Sequence, residues 1–141
     1  MQQDYILRLI ERLGVLFQAI RKLIIGRGDP ERIEADLQAA ASASGYDLDL
    51  IRELDLESLL AVVASGAEID LSRCWLMAEL LLLDGLQDVS AGNPDRAAAR
   101  LVKSRALFEL LGNAGTVIRE FPEAEFRIEE IDAELARMER G

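Results

Sequence analysis

The sequence predicts an all-α protein of six or seven helices, and three observations predict this class. Leu, Ala, Glu and Arg outnumber the β-branched and aromatic residues, and these residue types favour the helix. Apolar residues recur at steps of three and four along most of the chain. Only three prolines interrupt it, and half of its residues are apolar, which is enough for a hydrophobic core. We therefore expect one domain over residues 1–141, built from antiparallel helical hairpins.

The first hairpin, residues 1–44, begins with an amphipathic helix over residues 4–25. Its apolar residues form two adjoining rows, which make a wider face than a contact with one other helix needs. We expect this face to be enclosed within the domain or shared with a second copy, and it supplies the candidate self-association surface. The candidate residues are Ile6, Ile10, Leu13, Phe17, Ile20 and Ile24.

Glycine, proline and aspartate mark where this helix ends and the next helices begin. Gly26 and Gly28 are expected to end the first helix, since glycine takes the left-handed conformation without strain. Asp29 is expected to cap the second helix, and Pro30 fits its first turn, where a missing N–H is harmless. Two short helices are expected within residues 47–64. Their expected caps are Asp47 and Asp55.

The hairpin of residues 70–112 contains the most apolar helix of the chain, which extends to about Ala91. A helix that is apolar nearly all round lies in the centre of a domain. Asn93 and Pro94 are expected to open the second helix of this hairpin. The last helix, residues 123–140, has apolar residues at alternating steps of four and three. Its acidic start and basic end match the helix dipole, and we expect it to cap the domain.

A short motif recurs in both hairpins: Gly-Asp-Pro-Glu-Arg at residues 28–32 returns as Gly-Asn-Pro-Asp-Arg at residues 92–96. The stretch Ala78–Leu111 resembles a tetratricopeptide unit. Leu81 matches the large position of its first helix, and Gly85 matches the small position where the two helices touch. The resemblance implies a right-handed array of helical hairpins, capped by the N- and C-terminal helices. The small, large and small positions of the second helix are matched by Ala97, Leu101 and Ser104.

Two features depart from the tetratricopeptide pattern. Asp84 and Asp88 stand where apolar or aromatic residues are expected, and Glu109 replaces the closing proline. The whole chain is also similar to a family of short bacterial helical proteins that open with an Asp-Tyr-Ile-Leu-Arg helix, here Asp4–Arg8. This second resemblance implies a fold and no activity.

The net charge of −10 argues against nucleic acid as a partner, because a duplex-binding protein needs clustered cations. The charge is unevenly spread. Residues 1–27 hold five basic and two acidic residues (5 − 2 = +3), and residues 28–141 hold the other 11 basic and 24 acidic residues (11 − 24 = −13). We expect the first helix to dock on the acidic remainder of its own chain, in preference to a partner or an anionic surface.

Catalytic and metal-binding patterns are missing from the sequence. It contains no histidine and one cysteine, Cys74, so it can build neither a histidine triad nor a structural zinc site. The longest apolar run, Trp75–Leu83, is broken by Glu79 and is too short to span a bilayer, which takes about 20 residues. We expect Cys74 to be a buried packing residue. The sequence also lacks a secretory signal, so we expect a cytoplasmic protein. Because catalytic and metal-binding patterns are missing, we also expect that the protein is no enzyme and binds no cofactor or metal.

The candidate partner-binding residues lie on the two helices of the second hairpin. Asp84 and Asp88, one turn apart in an apolar helix, are expected to pair with cations across the hairpin or to line a polar groove. The basic row on the facing helix is expected to form a salt-bridge face or to bind the carboxylates of a partner. This basic row consists of Arg96, Arg100 and Lys103.

These observations lead to one functional hypothesis and one alternative. The hypothesis is a non-enzymatic helical scaffold that binds another protein and self-associates as a homodimer. The alternative is a peripheral membrane or lipid-binding protein, anchored by the cationic amphipathic helix of residues 4–25. The acidic remainder of the chain argues against the membrane alternative, because an anionic bilayer repels it.

Overall fold

The computed structural model describes residues 2–65, 68–112 and 124–140, with the backbone alone for residues 2–7, 9–10, 65 and 68–69. Seven α-helices fill most of these ranges, which confirms the predicted all-α class. A short antiparallel pairing of Ala64–Ser65 with Glu68–Ile69, which the sequence does not predict, links the fourth helix to the fifth. The elements in chain order are α1 Gln2–Ile25, α2 Pro30–Ala43, α3 Leu48–Glu53, α4 Leu56–Val63, β1 Ala64–Ser65, β2 Glu68–Ile69, α5 Leu71–Ser90, α6 Pro94–Gly112 and α7 Ala124–Arg140.

Helix α5 is the centre of the fold, as its nearly continuous apolar sequence predicts. Every side chain from Cys74 to Leu86 is buried, and one cluster of buried apolar residues draws on all seven described helices. Helix α6 packs antiparallel along α5 at close range. A Cβ atom on Gly85 would lie 2.7 Å from Cδ2 of Leu101, and the Ser104 hydroxyl donates to the Ala78 carbonyl at 2.7 Å. The small residues of this hairpin therefore allow the two helices to approach closely, as expected.

Helix α1 docks on its own chain, which is the arrangement that the charge distribution favoured. Its apolar face lies against α5, where the rings of Phe17 and Trp75 are 5.6 Å apart and inclined by 50°. Arg21 of α1 also forms an ion pair with Glu130 of α7. Helix α7 packs mainly on α6, and Ile131 of its apolar seam is fully buried. The N- and C-terminal helices thus both pack on the α5–α6 hairpin, α1 on α5 and α7 mainly on α6.

The aspartates that precede four helices act as N-caps. Asp29, Asp47 and Asp55 were expected in this role, and each accepts a hydrogen bond from a backbone N–H in the first turn of its helix. Asp70 does the same for α5 by accepting from the N–H of Arg73 at 3.1 Å. Each cap satisfies a donor that has no partner within its helix, which fixes where the helix begins.

The end of α1 differs from the expectation. The residue with a left-handed backbone is Arg27, with φ of +54°, and not Gly26 or Gly28. The N–H of Gly28 donates to the Leu23 carbonyl at 2.8 Å. A Cβ on Gly28 would lie 3.2 Å from that oxygen, so this glycine provides space for the closing hydrogen bond.

One predicted helix end lies one residue off, and one predicted helix start falls outside the described residues. The second helix ends at Ala43, one residue before the predicted Ser44. The predicted start of the last helix, Glu123, lies outside the described residues, and the described helix begins at Ala124.

Candidate functional site

The two aspartates of α5 meet three arginines in a buried ion-pair network. Asp84 accepts two hydrogen bonds from Arg52 of α3, at 2.8 and 2.7 Å, and pairs with Arg100 of α6 at 3.0 Å. Asp88 accepts from Arg100 at 2.6 Å and from Arg96 at 3.1 Å. The predicted pairing across the hairpin is therefore confirmed for Arg96 and Arg100. Arg52 was not predicted as a member of the network.

Two further residues connect the network to its surroundings. Glu34 of α2 accepts from Arg52 at 2.6 and 2.9 Å, so Arg52 joins α2 and α5 through α3. The ammonium of Lys103 donates to the backbone carbonyl of Arg52 at 3.4 Å and pairs with neither Asp84 nor Asp88. Lys103 was a candidate partner for these aspartates, and that expectation is wrong because its side chain points to α3.

The ionisation of the network follows from its burial. Desolvation raises the pKa of Asp88, although the charge of Arg100 opposes this effect. The hydrogen bond from Arg52 holds the pKa of Glu34 below its ordinary value. Burial acts to lower the pKa of Arg52, but its hydrogen bonds to Glu34 and Asp84 outweigh burial and raise that pKa. Arg52 therefore stays protonated and remains a donor to both carboxylates.

Most of the basic row is engaged within the chain and is not free to bind a partner. The Arg100 side chain is 14% exposed and is shared between two buried aspartates, whereas that of Arg96 is 57% exposed. Asp84 and Asp88 also line a small cavity of about 280 Å³, and their role in a partner-binding groove stays a prediction. The Oε1 atom of Gln87 lies at this cavity, buried and without a hydrogen-bond partner among the described residues. We interpret the network as a structural connection of α2, α3, α5 and α6.

The structure corrects the candidate self-association surface on α1. Four of its six residues are at most 5% exposed because they form part of the chain's own core. A second copy, or a bilayer, could reach them only if α1 left α5. The same four apolar residues would have to face the bilayer in the membrane alternative, and they are buried within the chain. The four buried residues are Leu13, Phe17, Ile20 and Ile24; the side chains of Ile6 and Ile10 lie outside the described residues.

A groove runs between α1 and α7, and α5 forms its floor. Arg21 of α1 and Glu130 of α7 bridge it and divide it into two cavities. The larger cavity, about 490 Å³, has Trp75 and Leu83 of α5 at its base, together with the buried Glu79, which accepts from Arg127 of α7 at 3.2 Å. We call this feature the α1–α7 groove.

The second cavity continues the groove beyond the bridge. It measures about 320 Å³ and has Leu86 and Val89 of α5 at its base, with Ile24 and Ile25 of α1 on one side. Glu134 lies on the α7 side. The base of the α1–α7 groove is therefore largely apolar over its whole length, while charged side chains stand along its walls.

Large apolar side chains stand exposed along the rims of the groove. Val15 is 74% exposed and Ile25 is 70% exposed, and both line the cavities on the α1 side. Phe126 of α7 is 69% exposed and directly precedes Arg127, a lining residue. Two of the six large apolar residues that are exposed in the described ranges, Val15 and Ile25, therefore line this one feature. Such clustering is typical of an interaction site, whereas scattered exposed apolar residues are not.

Two charged atoms inside the groove lack hydrogen bonds to the rest of the described structure. They are Nη2 of Arg21 and Oε2 of Glu134, both buried at the atom level. Their side chains are 12% and 14% exposed. Buried polar atoms are normally satisfied, so each of these atoms needs water or a partner group. The groove is therefore polar at two points along an apolar base.

Sequence patterns gave little indication of this groove. Val15 and Ile25 stand outside the main apolar row of α1, and that is the one local sign of a second contact surface. Phe126 is likewise the large apolar residue of α7 that does not follow the heptad-like seam. The groove itself brings together side chains that are 109 positions apart in the sequence, such as Arg21 and Glu130.

The described residues contain neither a metal-binding cluster nor a membrane span. No three carboxylate or thiol groups in these ranges converge to hold a metal ion. None of the described helices combines the length and the apolar composition that a membrane crossing needs. Comparisons with protein-family models, with curated proteins and with solved structures find no match for this chain. A proposal for the function of this protein therefore rests on the surfaces described above.

Proposed function

We propose that the protein is a non-enzymatic helical scaffold that binds another protein through the α1–α7 groove. The observation that carries this proposal is the exposure of Val15 and Ile25, which line the α1–α7 groove on its α1 side; Phe126 is also exposed, one residue before the lining Arg127 of α7. Exposure of three large apolar side chains to water costs free energy, which a protein partner recovers by covering them.

The shape of the groove favours a helical or helix-borne partner. Two helices form its walls and a third forms its base, so the space between them accepts the apolar face of another helix. The partner face would cover Val15 at one end and Ile25 at the other, above the base that α5 forms. Charged residues on both walls supply polar contacts at the rim, as in other protein interfaces.

The α5–α6 hairpin supports the same class of protein. Its close helix contact at Gly85 fits the tetratricopeptide-like arrangement that the sequence resembles, and such arrays are binding scaffolds. We further propose that the scaffold self-associates and acts in the cytoplasm. A single cysteine without a second thiol in the sequence fits a reducing compartment.

Site-specific photo-crosslinking in cells tests this function. A photo-reactive amino acid is placed at Val15 or Phe126, on the groove, and at Val102 as the control. Val102 is also exposed, at 49%, but it lies on α6 away from the groove. We expect a discrete protein adduct from Val15 and Phe126 and none from Val102. Absence of an adduct at both groove positions, or equal adducts at all three positions, would contradict the proposal.

A further inference from the structure

We infer that the larger cavity of the α1–α7 groove binds a small aliphatic carboxylate, whose charged group pairs with Arg21 and whose chain lies along α1. This cavity measures about 490 Å³, which is within the size range of small-molecule sites. The inference goes beyond the proposed function and does not depend on it. A protein partner covers apolar side chains at the rims of the groove, whereas this ligand occupies the space between the helices.

The guanidinium group of Arg21 is the polar group that selects the ligand. Arg21 lines the cavity, its side chain is only 12% exposed, and its Nη1 donates to Glu130 of α7. Its Nη2 is buried and has no hydrogen-bond partner among the described residues. A buried donor without a partner costs free energy, and the cost is larger for a charged group. An acceptor in the cavity that reaches Nη2 removes this cost.

The charge of Arg21 is only partly balanced within the chain. Glu130 contacts Arg21 through Oε2, and its Oε1 lies 3.9 Å from Nη1 of Arg127, so two guanidinium groups share one carboxylate. The Glu130 side chain is also 31% exposed, and water weakens its interactions with both cations. A second carboxylate on Arg21 forms a charge-assisted hydrogen bond, which is stronger than a bond to a neutral acceptor. The ligand group is therefore an anion and not a neutral carbonyl or hydroxyl group.

Two acidic residues also line the cavity, and neither of them pairs with Arg21. Glu79 is 3% exposed and accepts from Arg127 at 3.2 Å. Glu11 is exposed and precedes Arg21 by ten residues, which is about 15 Å along the helix. At that distance water and salt screen its repulsion of an anion. The cavity therefore combines a partly balanced cation with acids that are paired or distant.

The rest of the cavity accepts an apolar chain. Phe17, Trp75 and Leu83 form its base, and most of its lining is apolar. Gly14 also lines it, and a Cβ atom on Gly14 would meet nothing within 4 Å. Gly14 lies two turns before Arg21 on the same side of α1, about 10 Å away along the helix. An extended chain of about eight carbon atoms covers this distance, because bonds of about 1.5 Å in a zigzag advance less than their length.

Titration of the full chain with octanoate tests this inference. The comparison ligands are 1-octanol, which has the same chain without a charge, and octylammonium, which has the opposite charge. Trp75 is the only tryptophan of the sequence and lies at the base of the cavity, so its fluorescence reports binding there. We expect octanoate to bind about tenfold more tightly than either comparison ligand, or better. Because the chain carries a net charge of −10 and attracts cations in general, a preference for the anion requires a local cation.

Three substitutions test the role of Arg21. Arg21→Gln is expected to weaken octanoate binding about tenfold or more and to leave 1-octanol binding unchanged. Arg32→Gln makes the same change in charge on α2, where Arg32 is 69% exposed, and it is expected to bind both ligands like the wild type. Glu130→Gln removes the carboxylate that competes for Arg21. It is expected to bind octanoate more tightly, which a purely structural role of the ion pair would not produce.

A further variant tests the position of the chain without changing Arg21. Gly14→Leu places a good helix former at a position with open space, so the variant is expected to be at least as stable as the wild type. Its side chain enters the space that the ligand chain occupies. We therefore expect octanoate and 1-octanol to bind about tenfold more weakly or worse. Thermal unfolding followed by circular dichroism checks that every variant is folded.

Several results would overturn the inference. Octanoate that binds no better than 1-octanol, or that does not bind at millimolar concentration, would show that water alone satisfies Nη2 of Arg21. Equal losses in Arg21→Gln and Arg32→Gln would indicate a general effect of charge, and an unchanged affinity in Gly14→Leu would place the ligand elsewhere. These titrations use the purified chain, whereas photo-crosslinking at Val15 detects a protein adduct, so the inference and the proposed function can fail separately.

Discussion

Arg52 donates two hydrogen bonds to Asp84, from Nε to Oδ2 at 2.8 Å and from Nη2 to Oδ1 at 2.7 Å. This two-point geometry is the strong form of an arginine–carboxylate contact. Only 3% of the Asp84 side chain is exposed, so the carboxylate depends on its arginines for solvation. The contact also fixes the six-residue helix α3 on the central helix, since a helix this short is unstable in isolation.

Substitution of Arg52 is expected to destabilise the fold. Arg52→Ala leaves Asp84 with Arg100 alone and removes both bonds to Glu34, at a cost of about 2–4 kcal/mol in the free energy of unfolding. Urea denaturation followed by circular dichroism measures this cost. Arg32→Ala is the matched control, because Arg32 is 69% exposed and its pair with Asp36 is long, at 3.8 Å. If both variants lose equally little, the buried network does not stabilise the fold.

Adding one carbon atom at Gly85 is expected to disturb the hairpin. The Cβ of Gly85→Ala would lie 2.7 Å from Cδ2 and 2.8 Å from Cγ of Leu101, which is fully buried. We expect a loss of about 1–3 kcal/mol from overpacking, even though alanine favours the helix. Gly14→Ala is the control, since nothing lies within 4 Å of its Cβ position in α1. Gly14→Ala should be more stable than the wild type by about 0.5–1 kcal/mol. Thermal unfolding of the two variants distinguishes overpacking at Gly85 from the helix preference of alanine. A stabilised Gly85→Ala protein would refute the close approach of α5 and α6.

The contribution of Glu34 to stability is expected to depend on pH. Its pKa is lowered in the folded state by the hydrogen bond from Arg52, so its stabilising effect is present above the unfolded pKa and is lost as pH falls through the folded pKa. The difference in urea midpoint between wild type and Glu34→Gln should be constant above about pH 5 and should shrink as the solution is acidified below it. Asp88, whose pKa is raised, acts in the opposite direction, but it is present in both proteins and its effect cancels.

A second glutamate serves as the control for this pH experiment. Glu53 is exposed and makes no hydrogen bond or ion pair within the described ranges. The difference between wild type and Glu53→Gln should therefore stay the same across the pH series. If the difference in urea midpoint between wild type and Glu34→Gln also stays the same on acidification, the hydrogen bonds from Arg52 to Glu34 do not stabilise the fold.

Local features of the fold were predictable from the sequence because local interactions produce them. The caps Asp47 and Asp55 act within one turn of their own helix, so a single residue type at the right place is enough. The central position of α5 follows from its composition alone. The close contact at Gly85 was also predictable, since small residues at helical spacing on two adjacent helices leave few other ways to pack.

The interactions between distant segments were not predictable in the same way. Arg52 stands 32 positions from Asp84, and nothing in its own short helix distinguishes it from an exposed arginine. The left-handed backbone of Arg27 was not predicted, because the glycines beside it, Gly26 and Gly28, could adopt that conformation at lower conformational cost. The wide apolar face of α1 fitted either enclosure within the domain or contact with a second copy. Leu13 and Phe17 are buried, so this part of the face is enclosed within the domain. The groove depends on the placement of α1 beside α7, which helical periodicity does not specify.

The thiol of Cys74 provides a final prediction about the core. Cys74 is fully buried in α5 and its Sγ donates to the Leu107 carbonyl at 3.3 Å. Burial raises the pKa of this thiol to about 12, with a smaller effect from the charge of Asp70, so the reactive thiolate is rare at neutral pH. We expect thiol reagents at pH 8 to modify Cys74 no faster than the native structure around it opens. Urea is expected to increase the rate of modification. A Ser42→Cys variant places a second thiol at an exposed site of α2 and should react at once with one equivalent. Rapid modification of Cys74 in the native wild type would mean that α5 and α6 separate readily, which the contact of Gly85 with Leu101 argues against.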